Sequence, residues 1–386
     1  MDKKSSENEP IDNDDQPKSL IKRFYLTLRS NWIPLLFALI ITILTIIVVP
    51  IIYSIPKSVP HYNGTNLAWD INGATYVDKN SLFNKINLTL GNISALAFDQ
   101  ENNLHFVDQT NNRILKITND KIEIIVGHQN GTNGSDQTSL YSPNDIHIDK
   151  SNNIYIADTL NHRIQLFSNT DNKYISTVFG TGQQGSGSNQ LNCPMGVTID
   201  DYSTIYIADY GNNRIISFKR NNNVAEIYLK KNENNQERNE YVMSPISIKY
   251  DSVSKTIVIA QETGFNVIRW HIDSTYWTLI AGSASSDLSG ISRTLFNKLR
   301  HVYVDRFGHL YVADCFNQRI QYFTYSLDEL VKGKTIAGVI LAYGNNSYIF
   351  NQPTAIALDQ DQNLYVADSL NYRIQLFKQT SFIPTN

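Results

Sequence analysis

Residues 144–167 read NDIHIDKSNNIYIADTLNHRIQLF. Ile146 and Ile148 alternate with polar residues, a turn rich in Asp, Ser and Asn follows, and a second apolar run, Ile154-Tyr-Ile-Ala-Asp158, closes on an acid. Asn161-His-Arg163 then opens a third run, Ile164-Gln-Leu-Phe167. Alternation of period two with β-branched and aromatic residues predicts strands, and the polar punctuation predicts tight hairpins.

The pattern recurs six times. The residue closing the second run is Asp108, Asp158, Asp209, Gln261, Asp314 and Asp368, so successive spacings are 50, 51, 52, 53 and 54 residues. A fourth run follows the third in five units, at 122–127, 174–180, 224–229, 276–282 and 335–338. Four antiparallel strands in about 50 residues, repeated, describe a β-propeller. The last unit lacks its fourth run, whereas 67–78 (LAWDINGATYVD) is a strand-like segment with no neighbour in sequence. If 67–78 supplies the outer strand of the sixth unit, the first and last units are tied together and no sheet edge stays open. Residues 66–377 then make a ring of 312 residues, six units of 52.

These residues resemble the NHL-repeat family, whose motif combines Leu/Ile-Tyr-Val/Ile-Ala-Asp with Asn-x-Arg-Ile and an aromatic. Units two, three, five and six match it most fully; unit four departs, with Gln261 and Asn266 in place of Asp and Arg. The resemblance implies a six-bladed propeller used as a binding platform and sometimes elaborated into an enzyme.

Trp32 to Tyr53 contains no charged residue over 22 positions. A helix of that length spans about 30 Å of hydrocarbon. Lys18, Lys22, Arg23 and Arg29 precede the run, while Lys57 alone follows it before Asp70, so the positive-inside bias places the N-terminus in the cytosol. The expected layout is a disordered tail at 1–31, a signal-anchor helix at 32–53, a linker at 54–65, an all-β six-bladed propeller at 66–377 with units near 92–140, 141–190, 191–240, 241–296, 297–350 and 351–377, and a tail at 378–386. The propeller would face the extracellular space or a lumen, with the plasma membrane favoured. Sequons at Asn63, Asn87, Asn92, Asn130, Asn133 and Asn345 all follow the apolar run, although the Asn, Ser and Thr content alone would give about that many.

A formal charge of −3 with both signs interspersed provides no field for polyanions, so nucleic acid is not an expected partner. Cys193 and Cys315 fall in blades three and five and are read as unpaired thiols. The recurring pairs Asp108 and Arg113, Asp158 and Arg163, Asp209 and Arg214, Asp314 and Arg319, and Asp368 and Arg373 suit a hairpin lock better than catalysis, because a reactive constellation does not recur in blade after blade. His105, His147, His162, His301 and His309 occupy different blade positions, which disfavours a histidine metal centre. Asp359-Gln-Asp361-Gln-Asn363 lacks the Gly and Glu of a calcium loop and reads as a turn. No catalytic residue and no cofactor are expected; a calcium site in the channel using Asp145 and its neighbours, or a zinc site there, belongs to the alternative reading. The reading is a membrane-anchored module recognising a protein, peptide or glycan, with a metal-dependent propeller hydrolase or an amidating-lyase-like enzyme as the alternative.

Overall fold

The computed structural model describes residues 68–78, 88–119, 121–169, 175–219, 224–230, 240–272, 274–284, 288–325 and 331–380. The tail, the apolar run 32–53 and the linker lie outside them. No helix among the described residues is long and apolar enough to cross a membrane.

The described residues form six four-stranded antiparallel sheets and one two-stranded ribbon. Blade one consists of Ile93–Phe98, Leu104–Asp108, Arg113–Thr118 and Lys121–Val126, paired in that order. The first strands of the others are Asp145–Ile148, Pro194–Ile199, Pro245–Asp251, His301–Val304 and Pro353–Leu358. Each first strand packs against the first strands of its two neighbours, and that of blade six meets that of blade one, so the sequence closes into a ring. This is a six-bladed propeller.

Alternation along the strands fills the seams between blades. Six clusters of buried side chains correspond to six seams: Ala95, Val107 and Ile114 of blade one, for example, pack on Ile146, Ile154 and Ile156 of blade two. The core is therefore a ring of thin apolar layers, and each layer is cut by replacing one inward residue with a charge.

Closure uses both ends of the repeat array. Ala74–Asp78 pairs antiparallel with Arg373–Phe377, Ala74 opposite Leu376, and so forms the outer strand of blade six. Gln379–Thr380, assigned to a tail by the sequence reading, instead forms a ribbon with Ala68–Trp69. The physical reason is Trp69: its indole lies against Tyr311 and Tyr322 and its Nε1 donates to the Gln362 carbonyl at 2.9 Å, which draws residues 68–69 onto the seam of blades five and six beside the emerging chain.

Strand direction gives the ring two faces. One, called here the top, carries the turns between second and third strands and the long loops from each fourth strand to the next blade. The bottom carries the turns between first and second strands.

Candidate functional site

The second strand of every blade but the fourth ends in a buried Asp, and a single 3₁₀ turn follows in blades two, three, five and six, as at Thr159–Asn161. A left-handed residue, His162 in blade two, then reverses the chain and sets Arg163 opposite Asp158. Arg163 Nε donates to Asp158 Oδ2 at 2.7 Å, Asn161 donates to the same oxygen at 2.9 Å, and the Tyr141 amide donates to Oδ1 at 2.8 Å. The two Arg163 η nitrogens reach the carbonyls of Ser135, Asp136 and Ser139. Arg214, Arg319 and Arg373 repeat this reach onto Ser186, Gly187 and Gln190, onto Ile291, Ser292 and Leu295, and onto Asn345, Asn346 and Ile349. Arg113 pairs with Asp108 at 2.9 Å and bonds the carbonyls of Thr89 and Gln129. Burial pushes the Asp158 carboxyl up, while the turn amides and the guanidinium pull it back. These pairs are staples between a turn and a long loop, and their lone pairs and protons are committed to the fold.

The axis of the ring holds a different cluster. Counting from the lock, Ala95, Asp145, Gly196, Ser247, His301 and Ala355 occupy one register position in the six first strands, and Ala97, His147, Thr198, Lys249, Tyr303 and Ala357 the next on the same side. Blades six and one thus contribute only alanine, and blades two to five nearly all the polarity. Lys249 Nζ lies 3.2 and 3.3 Å from the two Asp145 carboxylate oxygens, which join blades that are not neighbours. The Val197 amide also donates to Asp145 at 3.2 Å. His301, from the blade opposite Asp145, stands 4.0 Å from it with neither ring nitrogen hydrogen-bonded. Burial and then the Lys249 ammonium push His301 well below its ordinary pKa and hold His147 down at about 3, so both imidazoles are neutral at pH 7.

Of the sequence candidates, Asp145 does lie on the axis, but Lys249 occupies the side of the carboxylate that a cation would need. His147 and His301 come together there, while His105, His162 and His309 are held elsewhere by Asp99, the Cys193 amide and Asp305. Among the described residues, no three His, Cys, Asp or Glu side chains are placed to hold a metal ion. Asp359 accepts the amide and side chain of Asn363 as in an ordinary hairpin turn, and the same contacts recur at Asp99 and Asp149. Cys193 and Cys315 are free. Sequence reasoning passed over Lys249; its period-two register with Ser247 was the available signal.

The top face also exposes an apolar surface. Val339, Ile340, Leu341, Tyr343 and Tyr348 of the loop between blades five and six are exposed, as are Leu370 and Tyr372 of the adjoining turn. The loop is pinned between the turns of both blades: the Leu341 amide donates to the Asn317 carbonyl, and Asn371 donates to that of Gly344. Its apolar side chains are therefore held outward by a fixed backbone. The sequons at Asn130, Asn133 and Asn345 are exposed on this face and Asn92 is half-buried there; Asn63 and Asn87 lie outside the described residues.

A family model for the NHL repeat matches residues 140–167 and 350–377, within the second and sixth units. The chain thus carries NHL repeats at two positions within a six-bladed propeller. No curated protein matches it. Among solved structures, it resembles an auxiliary nutrient binding protein from Bacteroides thetaiotaomicron, with 13% identity, TM-score 0.57, and coverage of 81% of this chain and 73% of that one. A gluconolactonase from Xanthomonas campestris matches at 11% identity and TM-score 0.53 over 75% of this chain and 87% of its own. A catalytically inactive virginiamycin B lyase from Staphylococcus aureus, with quinupristin, matches at 12% and 0.50 over 79% and 98%. At such identities the likeness is one of fold.

Proposed function

We propose that this protein is a recognition module, an NHL propeller displayed outside the cytosol on a single N-terminal membrane anchor at 32–53, that binds a protein or peptide partner on its top face. The observation that carries the reading is the apolar group Ile340, Leu341, Tyr343 and Tyr348, exposed on a loop whose backbone is fixed by hydrogen bonds. Rigid aromatic side chains lose little conformational entropy on docking, and a pinned loop loses less again. The axial polar groups, in contrast, are largely spent on one another. The nutrient-binding relatives are compatible with a ligand-binding use of the fold.

A photo-crosslinking residue at Tyr343 should capture one discrete partner on intact cells, and capture should be lost with Leu341→Asp. The same probe at the exposed bottom-face Tyr202 should not capture it. Equal labelling from both positions, or none from Tyr343, sinks the reading. For the anchor, protease applied to intact cells should remove the propeller and leave the tail.

A second reading, a propeller hydrolase or lyase, is favoured by one observation: the buried His301, unpaired on the axis beside Asp145. Stoichiometric calcium or zinc in the purified protein, with esterase or lyase activity lost in His301→Ala, would replace the first reading.

A further inference from the structure

At the bottom of three seams the space between blades is filled by aromatic pairs: Tyr206 with Trp270, Tyr311 with Trp69, and Tyr365 with Phe98, at centroid distances of 6.1, 5.8 and 4.9 Å. The tyrosine of each pair occupies one repeat position, three residues before the lock Asp. Blade one has His105 at that position, and opposite it on the third strand Lys116. The smaller ring leaves a hollow of about 80 Å³ at the seam of blades one and two, lined by Asp99, Glu101, His105, Lys116 and Glu123 on one side and by Asn152, Ile154 and Phe167 on the other.

Its chemistry is one-sided. Three carboxylates face one ammonium, and that ammonium is 2.7 Å from Asp99. Burial raises the Asp99 carboxyl, but Lys116, His105 and Asn103 outweigh it and hold the group down at about 2, so it is ionised. Glu101 accepts one bond from Asn152 at 2.7 Å, and Glu123 stands opposite Lys116 in the strand register. His105, 4% exposed, bonds Asp99 through Nε2 at 3.0 Å, while its Nδ1 has no partner. Burial, outweighing Asp99, lowers the His105 pKa, so the ring is neutral and Nδ1 is left an acceptor. The hollow therefore combines a net charge of about −2 with an excess of acceptors. Ile154 and Phe167 add an apolar wall.

We infer that this hollow is a binding site for a cationic side-chain head, the ammonium of lysine or the guanidinium of arginine on an extended peptide, with the alkyl stem against Phe167 and Ile154. A buried water needs about 10–15 Å³ of such volume, so the hollow has room for a charged head with part of its stem. It lies on the face opposite the apolar loop, so it stands or falls independently of the partner proposed there.

The test is calorimetry on the detergent-solubilised full chain with three blocked tripeptides, Gly-Lys-Gly, Gly-Arg-Gly and the uncharged isostere Gly-norleucine-Gly. The cationic peptides should bind at least about tenfold tighter than norleucine. Glu101→Gln with Glu123→Gln should erase that preference without moving the melting temperature, because both side chains are exposed. Lys116→Gln should strengthen it. No binding at about 10 mM, equal binding of the isostere, or a preference untouched by the paired glutamate change would each overturn the assignment.

Discussion

Blade two closes its top turn with Asp158 and Arg163; blade four closes the same turn with Gln261 and Asn266. The geometry is shared. The Met243 amide donates to Gln261 Oε1 at 2.6 Å as the Tyr141 amide does to Asp158, and Gln261 Nε2 donates to Asn266 Oδ1 at 2.8 Å where Arg163 would meet its acid. What changes is reach: Asn266 bonds a single loop carbonyl, that of Ser283 on the far side, whereas Arg163 gathers three from the preceding loop. Blade four has moved its buried ion pair to the opposite end of the strands. Arg269 there lies 3.2 Å from Asp251 and over the Tyr325 ring. The turn therefore requires matched donors and acceptors, and the charge serves to hold the loop.

The contrast is most exposed by single substitutions in a charged lock. Asp158→Ala leaves Arg163 buried without its anion and should cost about 3–5 kcal/mol in denaturant unfolding; a cost no larger than that of Gln261→Ala breaks the comparison. Gln261→Ala removes one neutral partner and should cost about 1–3 kcal/mol. The double change Asp209→Gln with Arg214→Asn transplants the blade-four pair into blade three. It should recover about 0.5–3 kcal/mol relative to the sum of the singles in a double-mutant cycle, while the loop at 186–190 gains protease sensitivity. Acid sharpens the comparison, because the amide lock does not titrate while burial, and then Lys249 of the same blade, depresses His301. A histidine lowered in the folded state binds its proton in the unfolded state first, so stability present above pH 6.5 is lost as pH falls below it. His301→Gln should flatten that slope by up to about 1.4 kcal/mol per pH unit. The smallest effect belongs to Lys255→Ala. Lys255 and Lys150 meet Asp201 at 2.7 and 3.1 Å on the exposed bottom face, and such a pair should be worth about 0.2–1 kcal/mol, less in salt.

The ring was legible because its information is local and repeated: hairpin alternation, the Asp-to-Arg spacing, and a surplus strand at one end matching a deficit at the other. The role of Asp158 and Arg163 could be argued from recurrence alone. Of the axial cluster only Asp145 was legible, since its partner Lys249 lies 104 residues away and neither belongs to the shared motif. The hollow beside His105 was equally hidden, because a missing aromatic marks a cavity only once the seam that it fails to fill is known. Gln379–Thr380 looked like the start of a tail because a two-residue strand has no period.

The closing strand also sets a clock. Ala74 pairs with Leu376, 302 residues later. At a synthesis rate of about 5–20 residues per second, Ala74–Asp78 waits roughly 15–60 s for its partner. During that interval five blades can form in order of emergence, each meeting a neighbour already in place, while Ala74–Asp78 stays unclaimed. The strand suits the delay: five residues long, preceded by Gly73 and ended by Asp78, it is a poor template for a wrong partner. Completion of the ring is then a late event, reporting that the sixth repeat has arrived.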